Sequence, residues 1–158
     1  MPDKVKPIPE GHRTVAPYLT VKNAEKAMAF YKDAFGAAEV YMLKVPDGRV
    51  GHAEIRLGDC IVMFADEFPE YGCKAPESLG GSAVSIHLYV PDVDAFFKRA
   101  VAAGAMERKP VMDQFYGDRS GQLEDPFGHL WWVATHKEDV APEEIQKRVN
   151  AMFTAKTS

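Results

Sequence analysis

The sequence predicts an α+β fold built from two copies of one βαβββ unit. Three observations carry this. A strand, a glycine-ended helix and three further strands occur twice, at a nearly constant offset. Leu19 and Val21 match Leu88 and Val90, Gly36-Ala37 matches Gly104-Ala105, and Gly58 matches Gly128. The apolar period switches from two to about 3.6 and back inside each copy, which separates strands from helix. Neither copy has enough sheet to bury its helix well, so the two are expected to share one structure.

Taken in order, residues 1–13 hold three prolines and several charges and read as an extended arm. Residues 14–67 form the first unit. Val15 to Val21 is its first strand, with Pro17 marking an edge or bulge. Asn23 suits an N-cap, and Ala27, Phe30, Tyr31, Ala34 and Phe35 fall at helical spacing before Gly36, a natural C′ residue. Glu39 to Val45, Val50 to Leu57 and Cys60 to Ala65 are strands joined by the turns Pro46-Asp47-Gly48 and Gly58-Asp59. Residues 68–81 form a Gly/Pro-rich connecting loop.

Residues 82–136 repeat the pattern. Ser82 to Val90 is a strand, Asp92 an N-cap, and Val93, Phe96, Phe97, Ala100 and Val101 form a helical stripe ended by Gly104. Met106 to Met112 and Tyr116 to Glu124 are strands. The turn Asp125-Pro126-Phe127-Gly128 then feeds Leu130 to Val133. Trp131 and Trp132 are neighbours on that last strand, so they point to opposite faces, one toward the helices and one toward the sheet's second side. In residues 137–158, Pro142 at N1 and Glu143-Glu144 open a final helix whose stripe is Ile145, Val149 and Phe153.

Composition limits the function classes. The 158 residues are 46% hydrophobic and 27% charged with net charge −4, the profile of a globular chain without a basic footprint for nucleic acid or anionic membrane. No apolar run reaches the ~20 residues of a membrane span, and the N-terminal arm lacks the apolar core of a signal peptide, so a cytoplasmic location is expected. Cys60 and Cys73 make no disulfide framework and are read as reduced thiols. No GxSxG elbow, phosphate loop or CxxC pair occurs.

The duplicated unit, the AxxFYxxxFGA pattern of Ala27 to Ala37, HAEIRLGD of His52 to Asp59 and GDRSGQLEDPFGHLWWVATH of Gly117 to His136 together resemble the glyoxalase/bleomycin-resistance, or vicinal-oxygen-chelate, superfamily. The PhnB-like branch is the nearest match, and the resemblance covers residues 14–153. It implies two modules curling one eight-stranded mixed sheet around a cavity, with helices outside, an extra C-terminal helix and commonly a homodimer. It also implies metal ligands on the first and last strands of each module. Those positions here are Ala16, Val62, Ser85 and Trp132, which supply no good donor set for a divalent ion. No cofactor and no metal are therefore expected.

Strand parity places Tyr18, His52, Glu54, Arg56, Ser85, His87 and Trp132 on the concave face, and pairing the last hairpin back from Asp125 adds Arg119. His52, Glu54 and His87 are the candidate acid/base residues, while Tyr18, Phe64, Tyr116, Arg119 and Trp132 are the candidate ligand walls. His52, Glu54 and Arg56 also fit the solvated face of an ordinary strand, and His87 a satisfied core histidine. The expected function is binding of a small organic molecule in the cavity without the usual metal. The alternative is a metal-assisted or acid/base lyase, isomerase or transferase of the same superfamily.

Overall fold

The computed structural model describes residues 5–156. The first four residues of the expected arm and the last two of the tail lie outside them. The first unit comprises β1 (Tyr18–Val21), α1 (Ala24–Phe35), β2 (Ala38–Lys44), β3 (Val50–Leu57) and β4 (Cys60–Asp66). A 3-10 turn (Pro69–Tyr71) and the short α2 (Pro76–Leu79) give the connecting loop local structure. The second unit comprises β5 (Ser85–Tyr89), α3 (Val93–Ala102), β6 (Met106–Asp113), β7 (Asp118–Glu124) and β8 (Leu130–His136), followed by α4 (Pro142–Lys156).

The repeat is structural as well as sequential. The first sheet has the order β1-β4-β3-β2 and the second β5-β8-β7-β6. In each, only the first strand of the unit runs parallel to its neighbour. Among the described residues no ladder joins the sheets, so the eight strands form two four-stranded mixed sheets and no closed barrel. The edge strands β1 and β5 are separated by a cleft of about 210 Å³ lined by Pro17, Leu19, Val84 and Ile86. Pro17 has no N–H to give to a ladder, and β1 begins one residue later than it.

One side of each sheet is covered by helix, and the two units share a single core. The α1 start is capped by Asn23, whose side chain accepts from the Lys26 amide. Its end turns at Gly36, where φ is +67° and the N–H bonds back to the Tyr31 carbonyl. Asp92 caps α3 in the same way through the Ala95 amide. The helices meet at Phe35, whose ring lies 5.2 Å from Phe96 of α3 and 4.9 Å from Trp131 of β8. Arg99 of α3 donates to the Asp33 and Lys32 carbonyls, satisfying acceptors that the end of α1 leaves open. Close approach of α3 to the second sheet requires glycine at 121, since a Cβ there would stand 2.6 Å from Phe97.

The turn before β8 ties the units together. Buried Asp125 accepts from the Phe127 and His129 amides through Oδ1, and from the Tyr31 hydroxyl (2.7 Å) and the Trp131 indole (2.9 Å) through Oδ2. Burial, and then the Asp125 charge, push the Tyr31 phenol well above its usual range. His129 Nε2 donates to the Thr20 carbonyl of β1. The tryptophan pair divides as alternation requires, with Trp131 fully buried against α1 and Trp132 half-buried on the opposite face. The apolar stripe of α4 is only partly covered: Ile145 and Val149 are half-buried, and Phe153 is exposed. Arg148 ties the helix to the second unit through Glu138 and the Phe115 carbonyl, and bonds Glu144 within the helix.

Candidate functional site

The uncovered side of each sheet carries the polar and aromatic side chains, and register decides which ones. In the first sheet Tyr18 stands opposite Met63, which stands opposite Glu54, which pairs with Tyr41. His52 and Glu54 share one face of β3, as its parity predicted, and Tyr18 of β1 meets them there. Tyr18 Oη lies 3.1 Å from His52 Nδ1, and His52 Nε2 lies 2.9 Å from Glu54 Oε1. His12, from the segment before β1, brings its Nε2 to 3.5 Å from the same Glu54 oxygen. Arg13 beside it pairs with Asp59 at 2.7 Å. The tyrosine hydroxyl is pushed above its ordinary range, first by burial and then by the charges of Cys73 and Glu54.

In the second sheet the matching row is His87, Trp132 and Gln122. The Lys109 ammonium lies 5.2 Å from the Trp132 ring centroid, and the His87 ring is 4.8 Å from that of Tyr89. His87 is exposed, so the buried-histidine alternative does not hold. Tyr116 sits in the turn before β7, its hydroxyl 3.5 Å from Ser120 Oγ. Tyr89 donates to buried Asp118, which also binds His136. The His136 imidazole, held by Asp118 and by Asp139, is raised above its usual pKa.

Two candidate walls lie elsewhere. Phe64 is wholly buried against Tyr31, on the helix-covered side. The two-residue turn after β3 pairs Leu57 with Cys60, which sends Met63 rather than Phe64 to the open face. Arg119 also faces the helices. It pairs with Thr135, donates twice to Asp94 of α3 at 2.8 Å and reaches Asp113 at 3.2 Å. Counting parity back from Asp125 fails because that residue belongs to the turn, while the ladder starts at Glu124 opposite Leu130. The candidates thus form two sets, with Tyr18, His52 and Glu54 on one sheet and His87, Tyr116 and Trp132 on or beside the other.

The same register revises the ligand positions implied by resemblance. Val62 is buried under the helices, and Met63 is the structural counterpart of Trp132. A methyl group, a thioether, a hydroxyl and an indole then stand at the four positions, a donor set that does not fit a catalytic divalent ion. Among the described residues no group of three or more His, Cys, Asp or Glu side chains is arranged to hold a metal. Sequence reasoning gave His12 little weight, because a contact between an irregular arm and a strand leaves no periodic signal.

Between the units lies a cleft of about 670 Å³, with Phe35, Leu57, Leu88 and Phe96 as its apolar lining and His87, Asp59 and Arg99 among its polar groups. Among the described residues no helix is long and apolar enough to cross a membrane.

Comparison with known proteins agrees with this architecture. The model of the glyoxalase/bleomycin resistance protein/dioxygenase superfamily matches residues 12–133. An uncharacterized protein of Mycobacterium bovis is 42% identical over 140 residues, covering 87% of this chain and 92% of its own. TioX from a Micromonospora species superposes with TM-score 0.62 at 25% identity, covering 78% of this chain and 98% of its own. A PhnB protein from Bacillus cereus superposes with TM-score 0.60 at 21% identity over 78% and 99% of the two chains, a likeness of fold alone.

Proposed function

The chain belongs to the glyoxalase/bleomycin resistance protein/dioxygenase superfamily, and on that premise we propose that it binds a small organic molecule, aromatic or amphipathic, against the open faces of its sheets. The observation that carries this reading is the half-buried Trp132, flanked by His87 and Gln122 on the open face and approached by Lys109. An aromatic wall with few convergent polar groups is the usual make-up of a ligand pocket. The open faces line a concave cavity in this reading. Binding proceeds without the superfamily's usual metal, because the side chains at its positions are poor donors. The protein acts in the cytoplasm as a homodimer of two-module chains.

A second reading has its own support. The hydrogen-bonded series Tyr18–His52–Glu54 is suited to acid/base chemistry, so a lyase, isomerase or transferase activity remains the alternative.

Titrating aromatic acids and alcohols while following tryptophan emission tests the binding reading. Saturable quenching in the wild type, lost in Trp132→Ala and retained in a variant of a surface residue far from either face such as Lys147→Ala, is the expected result. Emission unchanged by every compound would overturn it. Elemental analysis finding about one zinc, nickel, manganese or iron per chain would overturn the metal-free claim, and light scattering at the monomer mass would overturn the dimer.

A further inference from the structure

We infer that Tyr18, His52 and Glu54 form a proton relay whose open end is the Tyr18 oxygen, and that this face takes a compound with an aryl hydroxyl group. The inference rests on the small-molecule reading above and names the ligand class for one of its two faces.

The direction of the relay follows from which atoms can donate. Glu54 Oε1 lies 2.9 Å from His52 Nε2, and a carboxylate only accepts, so the imidazole proton sits on Nε2. In the neutral ring Nδ1 then carries a lone pair. The group facing it at 3.1 Å is the Tyr18 hydroxyl, which must donate. The phenol holds its proton at neutral pH, since burial and the nearby Cys73 and Glu54 raise its pKa, so Tyr18 is a donor to His52 and not a tyrosinate. The carboxylate is further supported by His12 Nε2 at 3.5 Å.

This arrangement selects the ligand. With its own proton committed to His52, the Tyr18 oxygen offers lone pairs to what approaches from the open side, where the residue is 51% exposed. It therefore accepts a hydrogen bond and suits a ligand that supplies a proton. A ligand with only a carbonyl would have to break the Tyr18–His52 bond to be recognised. An aromatic ring and a thioether beside the polar groups restrict the class further. The Tyr41 ring lies 6.1 Å from that of His52, and Met63 stands beside Tyr18 and Glu54 in the ladder. A weakly acidic O–H on a flat ring, a phenol or naphthol, meets both conditions.

In the relay step the ligand O–H bond breaks and its proton joins Tyr18 Oη as the original Tyr18 proton passes to His52 Nδ1. The products are a phenolate and an imidazolium paired with Glu54. No electrons change hands and no co-reactant is needed. The groups beside the relay are His12 at Glu54, the Tyr41 ring beside His52, and Cys73, whose charge acts on Tyr18, and none of them interrupts it.

The probe is 4-nitrophenol, whose phenol and phenolate absorb at different wavelengths. Equilibrium dialysis measures its binding, and absorbance in a buffer below its own pKa measures the ionised share of the bound fraction. The expected result is saturable binding with a phenolate-to-phenol ratio raised roughly tenfold over free probe, one pKa unit. Tyr18→Phe and His52→Gln should keep binding within a few-fold while returning the ratio to that of free probe. Circular dichroism establishes that each variant is folded, and either variant alone decides the matter. Bound probe that stays a phenol in the wild type, or a raised ratio that survives either substitution in a folded variant, overturns the relay and leaves the Trp132 reading standing. Absence of saturable nitrophenol binding overturns the aryl hydroxyl assignment. Nitrogen NMR showing the His52 proton on Nδ1 overturns the relay independently of any ligand.

Discussion

Tyr31→Phe should weaken the whole molecule although it removes a single oxygen. Tyr31 Oη is buried and donates at 2.7 Å to Asp125 Oδ2, the acceptor that the Trp131 indole shares. Asp125 takes four donors in all, two from its own turn and two from side chains brought by α1 and β8. A hydrogen bond to a charged group contributes about 1.5–3 kcal/mol, and the change to phenylalanine leaves ring packing nearly intact. The expected loss is therefore about 2 kcal/mol, which for a chain of 150–250 residues lowers Tm by roughly 4–8 °C. Asp125→Ala is harsher. It strands the phenol, the indole and two amides, each buried donor left unpaired costing about 1–3 kcal/mol, and the sum approaches the 5–15 kcal/mol that holds a typical domain folded. Asp125→Asn falls between them, because the amide nitrogen turns a donor toward donors. Urea unfolding followed by tryptophan emission reads all three, and the double variant Tyr31→Phe/Asp125→Asn should fall short of the sum of the singles, as shared partners require. Single variants within about 0.5 kcal/mol of wild type, the range of ordinary surface substitutions, would refute the claim that Asp125 clamps the two units together.

Other outcomes follow from the same contacts. Gly121→Ala forces a Cβ to 2.6 Å from Phe97 Cζ and 2.9 Å from the Lys109 carbonyl, so it should cost about 1–3 kcal/mol in a urea titration. In Trp132→Phe the remaining emission comes from fully buried Trp131 and should resist acrylamide quenching, whereas in Trp131→Phe the remaining Trp132 should be quenched readily. His136, between Asp118 and Asp139, has a folded pKa above its unfolded value. Its contribution is complete below the unfolded value near 6.5 and is lost as pH rises through the folded value. Thermal melts across that window should show wild type losing part of its advantage over His136→Gln as pH increases, and a constant difference would sink the assignment.

The sequence by itself determined the elements and their doubling. Caps at Asn23 and Asp92, the αL turn at Gly36, the alternation of Val50 to Leu57 and the opposed tryptophans are local chemistry, and each element forms where its residues require. Parity within a strand was legible too, as His52 and Glu54 on one face of β3 show. Parity across a turn was not. Phe64 and Arg119 fell on the helix-covered sides because turn length sets register, and a shift of one residue exchanges the faces of a strand. The tertiary structure alone decided that the candidates separate onto two sheets, that His12 reaches Glu54 from the irregular segment before β1, and that Tyr31 and Trp131 meet at Asp125. These are contacts between segments distant along the chain, and no period or spacing encodes them. They follow from how two helix-covered sheets close on a common core.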